Sequence, residues 1–359
     1  MANRCLALAV FCAALSGPVV VRAQDALEET LYRDLVALSR DEDFPRLSGP
    51  WQLVLPDDLV AHPGARAETW AIAAHLETAS GDPVNVQVTF SRLGLRAPDP
   101  DGGPFDLSAI HRGHVIVLLD PASPAIAEER VSRGGGAAGD DTGSGEVGLD
   151  DWRMSVDEGG GLSLDLALGD MPVTLRLTPE RPALVQNTGG EAPFRGFAIS
   201  RMTTEGRIGE AAVTGTAWLD RAWGETPMPG GPLAYDRLLL HLDDGTDIGL
   251  LRTRRRDGVG IATMDGAVIG PDGTVTGVTD ESLEMTVLDD WQPEDGTAYP
   301  VAWRLAGAGL DFTLTPLRPD QRHAFLFPLW SGGVLVEGSR DGQPVTGSGT
   351  LQLTGYEEQ

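Results

Sequence analysis

The chain of 359 residues contains no lysine, so all 27 of its basic residues are arginine. This absence excludes a phosphate-binding P-loop lysine, a Schiff base and pyridoxal chemistry. The arginines are outnumbered by 53 acidic residues, which gives a formal net charge of −26. A surface this acidic repels phosphate groups, so neither nucleic acid nor an anionic membrane face is an expected partner.

Cysteine is almost absent, and both copies, Cys5 and Cys12, lie close to the N-terminus. An apolar run over residues 6–15 follows Arg4, and Val21-Arg22-Ala23 fits a signal-peptidase site. Residues 1–23 therefore read as a secretory signal, which predicts a secreted or periplasmic mature chain without disulfides. A lipid anchor on Cys12 is the weaker alternative, because such sites usually have a small residue where Phe11 stands.

The sequence also lacks long apolar runs after the signal, a Gly-x-Ser-x-Gly nucleophile elbow, and any alternation of strands with long helices. Short runs of alternating apolar and polar residues are present instead, such as residues 84–90, with turn pairs such as Asp341-Gly342 between them. The predicted fold class is therefore all-β. One short N-terminal helix is predicted over residues 24–43, where four leucines recur at helical spacing.

The length favours two domains, and the chain contains two similar strand-turn-strand units that each end in arginine. These units are residues 70–92 and 238–252. A Pro/Gly-rich segment, residues 226–232, is the best linker between them. We therefore predict a first domain over residues 44–225 and a second over residues 226–359.

One stretch, residues 213–225, concentrates large aromatics, a carboxylate and a guanidinium. If it is extended, Trp218 and Asp220 share one face of the strand, and Leu219 and Arg221 share the other. A carboxylic acid in a dry pocket beside an indole has a raised pKa and can donate a proton, whereas a nearby arginine lowers that pKa. The alternative is that Asp220 and Arg221 pair with neighbouring loops where one domain meets the next.

Several motifs together resemble the AttH-like family, which includes carotenoid 1,2-hydratase (hydroxyneurosporene synthase). They are Glu68-Thr69-Trp70 after His62-Pro63, Gln87-Val88-Thr89-Phe90 closed by Arg92, His114, residues 215–223, Leu242-Asp243-Asp244-Gly245 and residues 349–356. The resemblance implies two tandem lipocalin-like antiparallel β-barrel domains with a ligand cavity and no cofactor. In the hydratases water is added across a terminal double bond of an acyclic carotenoid, and the resemblance implies Asp220 as the proton donor.

The chain departs from the family pattern at positions that bear on catalysis. Thr69 and Ala71 stand where many relatives have aromatics, Ala222 replaces a glutamate, and residues 329–332 replace an aromatic-aromatic-Glu-Gly pattern. Two carboxylates and several aromatics of the family pattern are thus missing, which favours ligand binding over catalysis.

We assign the candidate catalytic roles to Asp220 and Glu68. The candidate ligand-binding residues are Trp70, Gln87, Arg92, His114, Trp218, Arg221, Trp223 and Trp330. In a hydratase, protonation of the alkene gives a tertiary cation, so Asp220 would be the acid, the indoles of residues 70, 218 and 223 would face the cation, and Glu68 or Gln87 would hold the water.

No metal site is predicted. His111 and His114 are three residues apart, a spacing that converges only on a helix, and the residues after them are typical of a strand.

The predicted function is binding of an apolar isoprenoid- or lipid-like molecule by an exported protein. An active hydratase of the carotenoid type is the first alternative. The second, implied by the resemblance, is a non-catalytic accessory protein of ABC-transporter components. The sequence does not predict the oligomeric state.

Overall fold

A computed structural model describes residues 43–97, 108–133, 138–141, 145–186, 194–225, 233–294 and 296–356, with the backbone alone for 138–141. These residues form 22 strands and one turn of 3-10 helix, Asp57–Leu59. The all-β fold class with two barrel-like sheets is confirmed. The predicted signal peptide and residues 24–42 of the predicted helix lie outside the described residues.

The first sheet has 12 antiparallel strands in the order β4-β3-β2-β1-β12-β11-β9-β8-β7-β6-β5, with β10 paired to β11. Its strands are β1 Ala67–Thr78, β2 Pro83–Gly94, β3 Ala109–Leu118, β4 Ile126–Ser132, β5 Ala138–Asp141, β6 Glu146–Leu149, β7 Trp152–Val156, β8 Leu162–Leu168, β9 Met171–Pro179, β10 Leu184–Gln186, β11 Phe194–Ile208 and β12 Ala211–Gly224. The sheet curls until β4 approaches β6 and β8, which makes it a nearly closed barrel.

The second sheet has 10 antiparallel strands in the order β16-β15-β14-β13-β22-β21-β19-β18-β17, with β20 paired to β21. Its strands are β13 Leu233–Leu242, β14 Asp247–Arg255, β15 Thr263–Ile269, β16 Val275–Thr279, β17 Leu283–Trp291, β18 Tyr299–Gly307, β19 Leu310–Pro316, β20 Arg322–His323, β21 Leu329–Arg340 and β22 Gln343–Thr354. This sheet forms a half-barrel.

The second strand order repeats the first, with β13 in the place of β1 and β22 in the place of β12. Strands β5 and β6 of the first sheet have no counterpart among the described strands of the second. The first sheet ends at Gly224 and the second begins at Leu233, on either side of the predicted linker.

Local sequence explains both the strands and their turns. In β8 and β9 every second residue is buried, as the apolar-polar alternation requires for a strand with one face on a core. Between β21 and β22, Asp341 and Gly342 both have positive φ, at 50° and 76°, which is the backbone of a two-residue hairpin turn.

Each sheet encloses its own apolar cluster, and a third, smaller cluster lies between the sheets. The enclosed clusters contain the largest buried side chains, among them Trp70 and Trp152 in the first sheet and Trp303 and Trp330 in the second. The cluster between the sheets joins Trp218 and Ala73 of the first to Leu239 and Ile269 of the second. We call the zone where the outer faces of the two sheets meet the seam. There β1 lies against β22, β2 against β21 and β11 against β14.

Among the helices of the described residues, none combines the length and hydropathy needed to cross a membrane.

Candidate functional site

The seam buries a carboxylate at its centre. Asp220 is wholly buried on β12, and the indole Nε1 of Trp218 donates a hydrogen bond of 3.1 Å to its Oδ1. Its Oδ2 forms an ion pair with Arg237 of β13, so the contact joins the two sheets. Strand alternation explains the placement: Trp218 and Asp220 point out of the first barrel, while Leu219 belongs to the cluster inside it.

A small cavity lies beside this ion pair. Its volume is about 20 Å³, which is room for one water molecule. Gln87, Thr89, Arg237, Thr350 and Gln352 supply its polar wall, and Ala71, Ala73 and Leu239 supply part of its apolar wall. In this closed form the seam centre is sized for a water, not for an isoprenoid chain.

A continuous series of polar contacts crosses the seam next to the cavity. Ser331 Oγ donates to Gln87 Oε1 at 2.5 Å, and Gln87 Nε2 donates to Asn85 Oδ1 at 3.0 Å. Asn85 Nδ2 in turn donates to Thr350 Oγ1 at 3.0 Å, and that oxygen lies 2.8 Å from Nε2 of His75. Gln87 therefore has both of its polar atoms engaged, Oε1 with the second sheet and Nε2 with Asn85 of its own strand.

The other predicted catalytic residue, Glu68, lies inside the first barrel and not in the seam. Its Oε2 accepts hydrogen bonds from Arg221 Nη2 at 2.6 Å and from the His62 backbone N–H at 2.7 Å. Its Oε1 accepts from Arg92 Nη1 at 3.1 Å. Burial opposes ionisation, but Arg221, His62 and Arg92 together lower the pKa of Glu68 to about 2. Glu68 is therefore a carboxylate near neutral pH.

Arg221 is the centre of this barrel cluster. Its guanidinium carbon stacks 3.9 Å from the ring centre of Trp70 and 5.1 Å from that of Trp223. The imidazole of His62 stacks on Trp223, with 4.1 Å between the ring centroids. The cation that faces these indoles is thus an arginine of the protein itself.

These positions correct one grouping expected from the sequence. Trp70, Trp223 and Glu68 do not surround Asp220, because strands alternate with a period of two and the three side chains point into the barrel while Asp220 points out of it. Asp220 pairs with Arg237 of the second sheet, and Arg221 pairs with Glu68 inside the first barrel and with the backbone carbonyl of Val60 in the segment before β1. Of the predicted indoles, the structure brings only that of Trp218 to Asp220 within the described residues.

The remaining predicted residues are likewise divided between the barrel interiors and the seam. Arg92 also donates to the backbone carbonyls of Pro63 and Ala65 inside the first barrel. Trp330 belongs to the interior cluster of the second sheet, where its Nε1 donates to Pro319 O at 2.7 Å. His114 lies in the seam against Phe325, with 5.1 Å between the ring centroids.

Sequence reasoning missed several residues of the seam, above all Arg237, His75, His241 and Asp247. His241 Nδ1 lies 2.8 Å from Asp247 Oδ1, and Arg201 and Arg181 bind the same carboxylate from the first sheet. One signal was available: the run Leu238-Leu239-Leu240 makes β13 apolar on both of its faces, and a strand with two apolar faces is typically covered by protein on both sides.

A groove opens at the rim of the seam beyond His241. Its volume is about 390 Å³, within the range of small-molecule sites. The exposed side chain of Leu335 lines it, whereas the side chains of Leu242 and Val336 belong to the interior cluster of the second sheet. Its polar lining residues are Arg201, Thr216, His241, Asp243, Glu337, Thr346 and Ser348. Trp218 connects the groove to the seam centre, since its ring lies 6.3 Å from that of His241.

The described residues contain no group of three or more histidine, cysteine or acidic side chains placed to hold a metal ion. The His111 and His114 pair stays on a strand, β3, as the sequence predicts.

Residues 46–356 match the family model described as AttH-like. The chain belongs to the AttH-like family. A crystal structure of a protein assigned to AttH from Nitrosomonas europaea is 28% identical, covers 85% of this chain and 98% of its own, and superposes with a TM-score of 0.73. The lipocalin-like fold expected from the resemblance is thereby confirmed.

Kievitone hydratase from Nectria haematococca is similar in fold alone, at 16% identity and a TM-score of 0.63, over 89% of this chain and 96% of its own. No curated protein matches the chain in sequence.

Proposed function

We propose that this AttH-like protein binds an apolar small molecule of isoprenoid or lipid type in the rim groove of the seam. The observation that carries the proposal is the groove itself: about 390 Å³, with polar groups surrounding one exposed apolar side chain. Leu335 supports it further, because this large apolar side chain is 41% exposed at the groove. The missing family carboxylates and aromatics also favour binding over chemistry.

The binding test uses farnesol and dodecanoic acid as probes and isothermal titration calorimetry on the full chain. Leu335→Glu should weaken the bound probe at least tenfold, about 1.4 kcal/mol, because it places a charge against an apolar ligand. Val287→Glu is the matched control, since Val287 is also 41% exposed but lies on β17, away from the groove. Failure of both probes to bind, or equal losses in the two variants, would reject the rim groove as the site.

A second candidate, a hydratase, is favoured by one specific observation. A wholly buried carboxylate, Asp220, lies beside an indole, and its ion-pair partner Arg237 lines a cavity sized for one water. Hydration would transfer the acid's proton to the less substituted alkene carbon, and the water held near Gln87 and Thr89 would add to the resulting tertiary cation and return a proton to the carboxylate. The similarity in fold to kievitone hydratase supports the same candidate function.

The ion pair with Arg237 opposes the protonation of Asp220 that this chemistry requires. The ion pair needs an ionised Asp220, whereas the first step needs a protonated one, so the substrate would have to displace Arg237. Incubation with an acyclic isoprenoid alkene in H₂¹⁸O tests the candidate. Labelled tertiary alcohol should form with the wild type and be lost in Asp220→Asn. Equal product from both proteins would remove Asp220 from the mechanism, and no product from either would leave binding as the function.

We further propose export as the cellular setting, on the signal-like residues 1–23. N-terminal sequencing of the protein recovered outside the cytoplasm should begin at Gln24. Association with ABC-transporter components stays a prediction.

A further inference from the structure

Four of the six histidines of the chain are buried at the seam. They form two pairs, each with one member from each sheet: His75 with His241, and His114 with His323. The other two histidines, His62 and His111, lie elsewhere in the first sheet and the segment before it. The stability of an interface that buries four titratable imidazoles depends strongly on whether those imidazoles are protonated.

The first pair is surrounded by groups whose charges are already balanced. The rings of His75 and His241 lie 4.9 Å apart between centroids. Thr350 Oγ1 accepts from Asn85, so its own hydrogen is available to Nε2 of His75, while Nδ1 of His241 donates to Asp247. Asp247 is also bound by Arg201 and Arg181, so it already has two positive partners before either histidine is charged.

The second pair lies where the segment after β20 covers β3. Phe325 contacts both rings, at 5.1 Å from His114 and 5.4 Å from His323 between centroids. Nε2 of His323 donates to the carbonyl of Ser331 at 3.0 Å, and neither ring nitrogen of His114 has a hydrogen-bond partner among the described residues.

The charges around this second pair are mainly positive or already paired. Arg112 acts on His114, and its own partner is Glu129, at 2.5 Å from its Nε. Glu129 also accepts from the backbone N–H of Leu326 in the covering segment. Asp320 favours a charged His323. A proton on His114 would thus be buried beside a guanidinium.

We propose that the seam is an acid-labile joint: protonation of its four histidines separates the outer faces of the two sheets and exposes the Asp220–Arg237 pair and the rim groove. The closed seam holds these imidazoles as neutral rings, because each added proton would be a buried charge, and the proton on His114 would also lie beside the Arg112 guanidinium. The open seam lets water hydrate them.

The pKa directions agree with this geometry. Burial, and then repulsion from His241 when that ring is protonated, lowers the pKa of His75 well below 6.5, and burial and then the Arg112 guanidinium lower that of His114 well below 6.5. Burial lowers that of His323 to about 4 and also lowers that of His241, against the opposing effect of Asp247. Above pH 6.5 the four histidines are neutral in both the closed and the open state, so the closed state loses no stability. As the pH falls from 6.5 towards 4, only the open state takes up protons, so the closed state loses stability.

The net charge of the chain cannot produce the same effect. At neutral pH the excess of carboxylates makes the molecule repel itself, and acid removes that repulsion. Surface charge alone would therefore tighten the seam as the pH falls.

The test measures the distance between the sheets in the full chain. Spin labels are placed on two exposed positions, Glu205→Cys of β11 and Glu284→Cys of β17, with Cys5 and Cys12 replaced by serine, and their separation is measured by double electron-electron resonance from pH 7.5 to 4. We expect a second, longer distance below pH 6, with unchanged far-ultraviolet circular dichroism. The base-ten logarithm of the open-to-closed ratio should rise by about four for each unit by which the pH is lowered, one for each histidine.

His75→Gln combined with His114→Gln should reduce that slope to about two, because two proton sites are lost while glutamine keeps an acceptor for Thr350. His62→Gln, a histidine outside the seam, should leave it unchanged. A distance that stays constant down to pH 4, a slope unaffected by the double substitution, or a change that appears only with loss of circular dichroism would each overturn the proposal. The wild-type titration decides the matter even if the double variant fails to fold. It requires no ligand, so it succeeds or fails separately from the binding test.

Discussion

The two sheets carry the same acid-arginine pair at the same place, but in different surroundings. Glu68 of β1 stands opposite Arg92 of β2, and Asp236 of β13 stands opposite Arg252 of β14. Asp236 accepts from Arg252 Nη1 at 2.6 Å and from the Tyr356 hydroxyl at 3.0 Å, with Arg254 further away at 3.5 Å. The repeat of the strand order thus extends to a repeated ion pair inside each barrel.

The pKa values of the two acids move in opposite directions. That of Glu68 falls to about 2, whereas burial raises that of Asp236 despite Arg254, Arg252 and Tyr356. The partners differ in their own exposure: the Arg221 side chain is wholly buried, whereas that of Arg252 is 28% exposed. A buried carboxylate is therefore stabilised most by a guanidinium that is itself removed from water, because water screens an exposed one.

The largest effect expected from this comparison is that of Glu68→Gln. It leaves Arg221 buried without its negative partner, so the free energy of unfolding should fall by about 3–5 kcal/mol. Urea denaturation of the full chain measures the loss. Glu205→Gln, an exposed glutamate on β11, is the control and should change stability by less than about 0.5 kcal/mol. A loss for Glu68→Gln no greater than that of the control would contradict the ionised cluster.

The pH dependence of that loss should be nearly as large. Because the folded pKa of Glu68 lies below its ordinary value of 4.5, its charge stabilises the fold above pH 4.5, and this contribution disappears as the pH falls towards 2. The difference in unfolding free energy between the wild type and Glu68→Gln should therefore shrink by about 3 kcal/mol over that range. The seam histidines are present in both proteins and cancel. A difference that does not vary with pH would refute the assignment.

Asp236→Asn should have the smallest effect of the three, a loss of about 1 kcal/mol in the same urea assay. The raised pKa means that the ionised form of Asp236 is poorly stabilised, and Arg252 can turn to water when the charge is removed. The sign of the pH effect is also reversed: a raised folded pKa contributes stability below pH 3.8, which is lost as the pH rises. If Asp236→Asn costs as much as Glu68→Gln, exposure of the arginine does not explain the difference.

Strand periodicity made most of the fold and part of the site predictable. The alternation of residues 218–221 assigns Trp218 and Asp220 to one face and Leu219 and Arg221 to the other, and the structure has them so. Extending the same count to Trp223 would have separated it from Asp220, whereas the face of Trp70 follows only from the register between β1 and β12. The sequence hypothesis combined residues that are close in the chain, although the sheet lies between their side chains.

The contacts across the seam could not be predicted from the sequence. Asp220 and Arg237 belong to different sheets, and no local pattern determines which outer faces meet or in which register. The same holds for His75 and Thr350, which are 275 residues apart yet lie 2.8 Å from each other. Such pairs depend on how two finished sheets dock, which is a property of the whole surface.

The two sheets belong to one polypeptide and are connected between Gly224 and Leu233, so they stay close together even when their outer faces separate. A joint between independent subunits would be diluted away once it opened. A short covalent tether keeps the halves at an effective concentration on the order of millimolar. Reassembly is then a unimolecular process whose rate is independent of dilution. The same molecule can therefore open in acid and close at neutral pH repeatedly.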